Sequence, residues 1–178
     1  KTKITYIILL FVVSSILFWK VLINPNDVIW SPISEITTET VYWDNFRYES
    51  MAEFGKIPLW SPYAFSGYPF IGNHWSKLMY PTNIIYLFIP SAALYGFVFL
   101  LHFFLGGVFL YLFLKNIGID DFSSFISSVV YILSLKHAYY VFAGFVGREV
   151  TILSLPLLLL LIERYFQSGK KFYLVLVS

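Results

Sequence analysis

The sequence has 178 residues, of which 58% are hydrophobic and 12% charged, with a net charge of +2; soluble domains run near ~45–50% and ~25%. Its apolar runs approach the ~20 residues that match a bilayer's hydrocarbon thickness, which argues against a water-soluble globule. Basic residues scattered singly give no footprint for nucleic acid, and the lack of cysteine removes disulfides, thiol chemistry and cysteine-ligated metals.

Taken in chain order, the apolar segments predict an all-α, polytopic transmembrane helix bundle. Spans are expected at about 4–23, 91–114, 122–135, 150–162 and from 172 onward, with one long loop at 24–90. The first span contains Lys20, whose stem can snorkel, and it lacks the small-residue cleavage site of a signal peptide. The chain starts at Lys1 and stops at Ser178 inside an apolar run, so it is expected to be the N-terminal part of one larger transmembrane domain. Lys1, Lys3, Lys115, Arg164, Lys170 and Lys171 fall on one side. The positive-inside rule makes that side, and the N-terminus, cytoplasmic. Loop 24–90 and the shorter segment 136–149 are then extracytoplasmic. Pro156 is expected to kink the fourth span. Ser123 with Ser127, Ser124 with Ser128, and Gly106 with Gly107 have the small-residue character of helix-packing faces.

A loop of this length calls for structure of its own. The stretch 37–54 lacks Pro and Gly, offers Ser34, Thr37 or Thr38 as caps, and meets Gly55, the usual stop residue, so it reads as a helix. Trp43, Phe46, Met51 and Phe54 give it an aromatic side suited to the membrane interface. The run 55–70 holds three prolines and two glycines among aromatics, a spacing that predicts neither helix nor strand. A second juxtamembrane helix is expected at 82–88, between Pro81 and Pro90.

The run from Gly55 through Pro58-Leu59-Trp60-Ser61-Pro62-Tyr63 to Gly67 and Pro69, followed by Tyr80-Pro81-Thr82-Asn83, resembles the signature of YfhO-like bacterial and archaeal membrane proteins. Leu155-Pro156-Leu157 and Glu163-Arg164 resemble that family's later helix. These proteins are similar to the GT-C superfamily of glycosyltransferases, so the resemblance implies transfer of a sugar from a polyprenyl-phosphate donor to an acceptor on the outer membrane face. It also implies a catalytic acidic residue early in the first external loop. Glu35 stands at that place, as Glu where the family pattern has Asp.

Inverting transfer needs a carboxylate to take the acceptor proton and cations to meet the departing phosphate. Glu35 is the first candidate and Asp44 the second, with Glu39 and Asp27 behind them; each has the bland reading of a solvated or helix-start charge. Asp44 and Glu49 point apart at helical pitch, which gives no paired-carboxylate site. Arg148, at the outer mouth of the fourth span, can hold a phosphate or simply pair with Glu149. Lys77 and His74 can touch phosphate or sugar, or be merely solvated. Trp60, Tyr63 and Phe65 can stack on sugar or lipid, though such residues more often anchor at the interface. His102 lies in mid-span, where ionisable groups are functional candidates or bond to a neighbouring helix. The three histidines have no metal-ligand spacing, so no zinc site and no cofactor are expected, while a divalent ion held by carboxylates stays open but is not signalled by any pattern. The expected partners are the lipid bilayer, the polyprenyl-phosphate sugar and an unidentified acceptor. Rival readings are a transporter or flippase of lipid-linked intermediates and a structural membrane partner.

Overall fold

The computed structural model describes residues 2–24, 31–72, 76, 78, 80–89 and 94–177. The chain is mostly helical and divides into two units. The first comprises Lys1–Trp19, Phe99–Val141 and Phe145–Ser178; the second comprises Lys20–Val98 and Phe142–Gly144.

The first unit is built on apolar helices. Helix α1 spans Thr2–Leu17, and the short α2, Trp19–Ile23, continues into the second unit's segment. After the loop come α4 (Tyr95–Asn116), α5 (Asp121–Ile132), α6 (Leu135–Ala143), α7 (Val146–Ser168) and α8 (Phe172–Val177), with α3 (Val41–Phe54) lying in the loop. Among the described residues, two stretches are long and apolar enough to cross a membrane: Tyr95–Asn116 and Asp121–Ala143, the latter broken at Leu133 and Ser134. The apolar helix Lys3–Leu17 is shorter. Two expected boundaries move. Segment 136–149 is not a plain connection, because α6 occupies its first half, and the fourth helix is longer than 150–162 at both ends, with Pro156 inside it. Apolar residues between Lys136 and Ala143 let the helix resume after the break, a continuation that the single lysine and histidine obscured.

Small residues set the packing of this unit. A Cβ on Gly106 would lie 2.8 Å from the Leu153 side chain, and one on Gly107 would lie 3.3 Å from Leu10 and 3.4 Å from Ile132. Of the two serine pairs, Ser124 and Ser128 are buried, with their hydroxyls turned back to the carbonyls of Asp120 and Ser124, while Ser123 and Ser127 are exposed. Asp120 caps α5 by accepting the Ser123 amide at 2.9 Å. Its hydrogen bonds with Ser123 hold its carboxyl below the usual range.

The second unit carries the loop. A π-helical turn, Ile36–Thr40, leads directly into α3, which ends on left-handed Gly55. Ser34 starts it: its Oγ accepts the Ile36 amide at 3.3 Å, and its carbonyl accepts the Thr37 and Thr38 hydroxyls. The second juxtamembrane element is a 3-10 helix, Pro81–Leu87, packed on α3.

The run 55–70 departs from expectation by forming a small hairpin. Strands β1 (Trp60–Ser61) and β2 (Tyr68–Pro69) pair antiparallel, Trp60 opposite Pro69 and Ser61 opposite Tyr68. The prolines restrict it to two residues a strand, since Pro69 has no N–H to donate. The Phe70 amide donates to Leu59 O at 2.8 Å beyond them. The turn bends through Phe65, Ser66 and Gly67, all at positive φ. A Cβ on Gly67 would lie 2.8 Å from the Trp60 indole, so glycine is required there by the ring as well as by φ.

Candidate functional site

Helix α3 turns polar side chains inward. Thr40, Asp44, Arg47 and Ser50 recur at steps of three and four, so they share one face, and all four are buried. The aromatic side expected to lie on the membrane interface is instead covered in part by the hairpin run. Phe70 packs on Trp43 and Phe46 with ring centroids at 5.9 and 5.1 Å, and Tyr68 and Tyr63 meet Trp43 and Phe46 at 5.9 and 5.4 Å. Aromatic rings bury more area against one another than a lone polar helix face can. The polar stripe lies beside that aromatic side, Arg47 one turn on from Trp43 and Ser50 one turn on from Phe46, and Asp44 and Arg47 meet Tyr95 at the start of α4 and Tyr86 of the 3-10 helix.

Two side chains on this stripe are ionised partners. Arg47 Nη2 bonds Asp44 Oδ1 across one helical turn. The Tyr95 hydroxyl donates to Asp44 Oδ2 at 2.5 Å, so one carboxylate oxygen is hydrogen-bonded while Oδ1 has the ion pair with Arg47 and no hydrogen-bond donor among the described residues. The Tyr86 ring lies under the guanidinium, 5.3 Å from Arg47 Cζ. Burial pulls the guanidinium down to about 10 and pushes the Tyr86 hydroxyl up. Asp44 and Arg47 are 2% and 1% exposed.

Glu35 has a different setting. It is half-buried at the head of the π turn, and its side chain makes no capping hydrogen bond. The backbone there is pinned by Gly144. At φ 73, a Cβ on Gly144 would lie 2.8 Å from the Ile36 amide nitrogen and 2.9 Å from that of Glu35. Ser31 adds a second tie by donating to Phe142 O at 2.5 Å. Glu39 and Glu49 are exposed.

The remaining expected site residues are dispersed. Arg148 is exposed, its guanidinium 4.3 Å from the Phe145 ring centroid. Glu149 does not pair with it; completely buried, it holds His137 Nδ1 at 2.8 Å through Oε1. Trp60 and Tyr63 stand on the hairpin, both exposed, as is Phe65. His102 is buried within α4. His74, Lys77 and Asp27 lie outside the described residues. Among the described residues no group of three or more His, Asp or Glu side chains is placed to hold a metal ion.

Sequence reasoning passed over Arg47, Tyr86, Tyr95 and the His137–Glu149 pair. The i, i+3 spacing of Asp44 and Arg47 was the available signal for the first. Nothing local announces the others, because Tyr86, Tyr95 and His137 reach partners distant in sequence or on another helix. No family model matches the sequence, and no curated protein or solved structure matches it.

Proposed function

We propose that this chain belongs to a multi-pass membrane glycosyltransferase of the GT-C type, with its N-terminus cytoplasmic and the 24–90 loop outside. It transfers a sugar from a polyprenyl-phosphate donor to an acceptor at the extracytoplasmic face. The observation that carries this reading is the inward-facing polar stripe of α3, because burying Thr40, Asp44, Arg47 and Ser50 has no merit as packing. The YfhO-like motif run from Gly55 to Pro69 supports it from the sequence.

Glu35 is assigned the base and Asp44 a positioning role. Glu35 has a side chain free of capping bonds, while both oxygens of Asp44 are already engaged. In the reaction, the acceptor O–H proton passes to Glu35 as the acceptor oxygen bonds the anomeric carbon. The bond from that carbon to the phosphate oxygen breaks, and its electron pair leaves with the polyprenyl phosphate. Trp60, Tyr63, Arg148, Lys77 and His74 remain candidates for contacts to donor or acceptor.

The test is sugar release from a labelled polyprenyl-phosphate sugar by the full-length protein in lipid. Glu35→Gln is expected to lower turnover by roughly 100-fold or more, the scale of a lost general base, without changing the unfolding midpoint. Asp44→Asn is expected to lower it less while also destabilising the protein. Undiminished turnover in Glu35→Gln removes that residue from the mechanism. Failure of the wild type across a panel of donor sugars transfers the weight to a transporter or structural role.

A further inference from the structure

Arg47 has more donors than the loop unit uses. Nη2 is spent on Asp44, but Nε and Nη1, both buried, have no hydrogen-bond partner among the described residues. The buried Tyr86 hydroxyl, on the ring that faces the guanidinium, has none either. A buried cation with unmade N–H bonds is costly, and an anionic ligand is a partner that would satisfy them. The guanidinium is also held in place: Asp44 fixes one nitrogen, Tyr95 fixes Asp44, and the Tyr86 ring covers a face. Its unspent Nε–H and Nη1–H point to either side of Nη2, and each is a strong charged donor to a single anion oxygen such as those of a phosphate.

We propose that Arg47, aided by the Tyr86 hydroxyl, binds the phosphate of the lipid-linked donor, with Asp44 as the residue that positions it. The lipid part of this assignment rests on the glycosyltransferase reading; the phosphate part rests on the unspent donors. Asp44 offsets one unit of the cationic charge, and it is the carboxylate in contact with Arg47. The site therefore favours a singly charged phosphodiester, the form of a polyprenyl-phosphate sugar, over a doubly charged free phosphate. During transfer the same donors meet the charge that develops on the departing phosphate.

The experiment measures binding of a radiolabelled polyprenyl-phosphate sugar to the full-length protein in phosphatidylcholine nanodiscs, with uncharged polyprenol as control and sugar release followed in parallel. Arg47→Gln is expected to weaken binding of the phosphorylated lipid at least tenfold and Tyr86→Phe severalfold, with Arg47→Lys recovering part of the loss and polyprenol binding unchanged. If Arg47→Gln fails to fold, Tyr86→Phe decides, since it keeps the ring and removes only the hydroxyl. Wild-type affinity in Arg47→Gln, or in Tyr86→Phe where that variant decides, overturns the assignment, as does equal loss of polyprenol binding. Displacement of the label by inorganic phosphate at comparable concentration, or by phosphatidylglycerol, would show a free-phosphate or headgroup site and overturn the donor assignment. Wild-type binding without sugar release sinks the transferase reading and leaves Arg47 as a lipid-phosphate site. Sugar release unaffected by the Arg47 and Tyr86 variants sinks this proposal and leaves the transferase reading standing.

Discussion

The hydroxyl of Tyr95, in the first turn of α4, donates to Asp44 Oδ2 over 2.5 Å with both side chains buried. Helix α3 is thereby tied to a residue 51 positions away. Tyr95→Phe keeps the ring and strips the carboxylate of that donor. An unsatisfied buried acceptor costs about 1–3 kcal/mol, more when charged, so the unfolding midpoint should drop by several degrees. Loosening Asp44 also frees Arg47, so the variant should bind polyprenyl-phosphate sugar more weakly. An unchanged midpoint would mean that water or another donor replaces the hydroxyl and that the bond has no structural role.

His137 and Glu149 form the second buried polar pair, at 2.8 Å. Glu149 Oε2 has no hydrogen-bond partner among the described residues, and the Tyr131 ring stands edge-on to His137 with centroids 4.9 Å apart. Removing one member of such a pair strands the other, at a cost of about 3–5 kcal/mol, whereas replacing both with apolar residues is often neutral. His137→Leu and Glu149→Leu should each destabilise strongly, and the double variant should lie nearer to wild type than either single one. A double-mutant cycle by thermal unfolding checks this. Simple additivity of the two losses would contradict the pairing.

What the sequence made legible depended on whether the signal was local. Helix α3 followed from a proline-free and glycine-free stretch ended by Gly55, and its boundaries emerged within a few residues. Gly106 and Gly107 indicated close helix packing, and Leu153, Leu10 and Ile132 occupy that space. The orientation of α3 was not legible, because Trp43 and Phe46 suit a lipid interface as well as a packed aromatic layer. Only the fold of the hairpin run back onto them, through Phe70, decides between the two. The same limit hid Arg47: its neighbour Asp44 is visible in the sequence, but its burial depends on Tyr86 and Tyr95, about forty to fifty positions further on.

The pH dependence of phosphate binding follows from Arg47. Burial lets it hold its charge only to about 10, well below the range of an exposed guanidinium. Below about pH 9 it is protonated in both folded and unfolded protein, so it adds no slope to stability there. From about 10 up to the range in which an exposed guanidinium titrates, the unfolded chain binds the extra proton, so this group makes stability rise with pH. Binding has the opposite dependence, because a neutral guanidinium has lost the attraction for the anion. Affinity for the polyprenyl-phosphate sugar should stay level from pH 7 to 8.5 and fall as pH approaches 10. A fall centred near neutrality would place the titrating group elsewhere.

Phe65 is 91% exposed and sits at φ 53, next to Ser66 at φ 58. Left-handed backbone at a non-glycine residue costs about 1–2 kcal/mol, and an exposed ring recovers none of it by burial in the protein. Phe65 does meet Tyr68 edge-on, but the centroids are 6.3 Å apart, a weak contact. Phe65→Gly should therefore raise stability in detergent, where the ring has no bilayer to enter, by roughly 0.5–1 kcal/mol once the greater freedom of glycine in the unfolded chain is deducted. If the ring repays its strain by seating in the membrane interface, as its neighbours Trp60 and Tyr63 suit it to do, the gain should vanish or reverse in lipid nanodiscs. Unfolding of wild type and Phe65→Gly in both media separates the two contributions. Equal stabilisation in detergent and in lipid would deny the ring any role at the bilayer, leaving its exposure to be explained by sugar or lipid stacking in the loop.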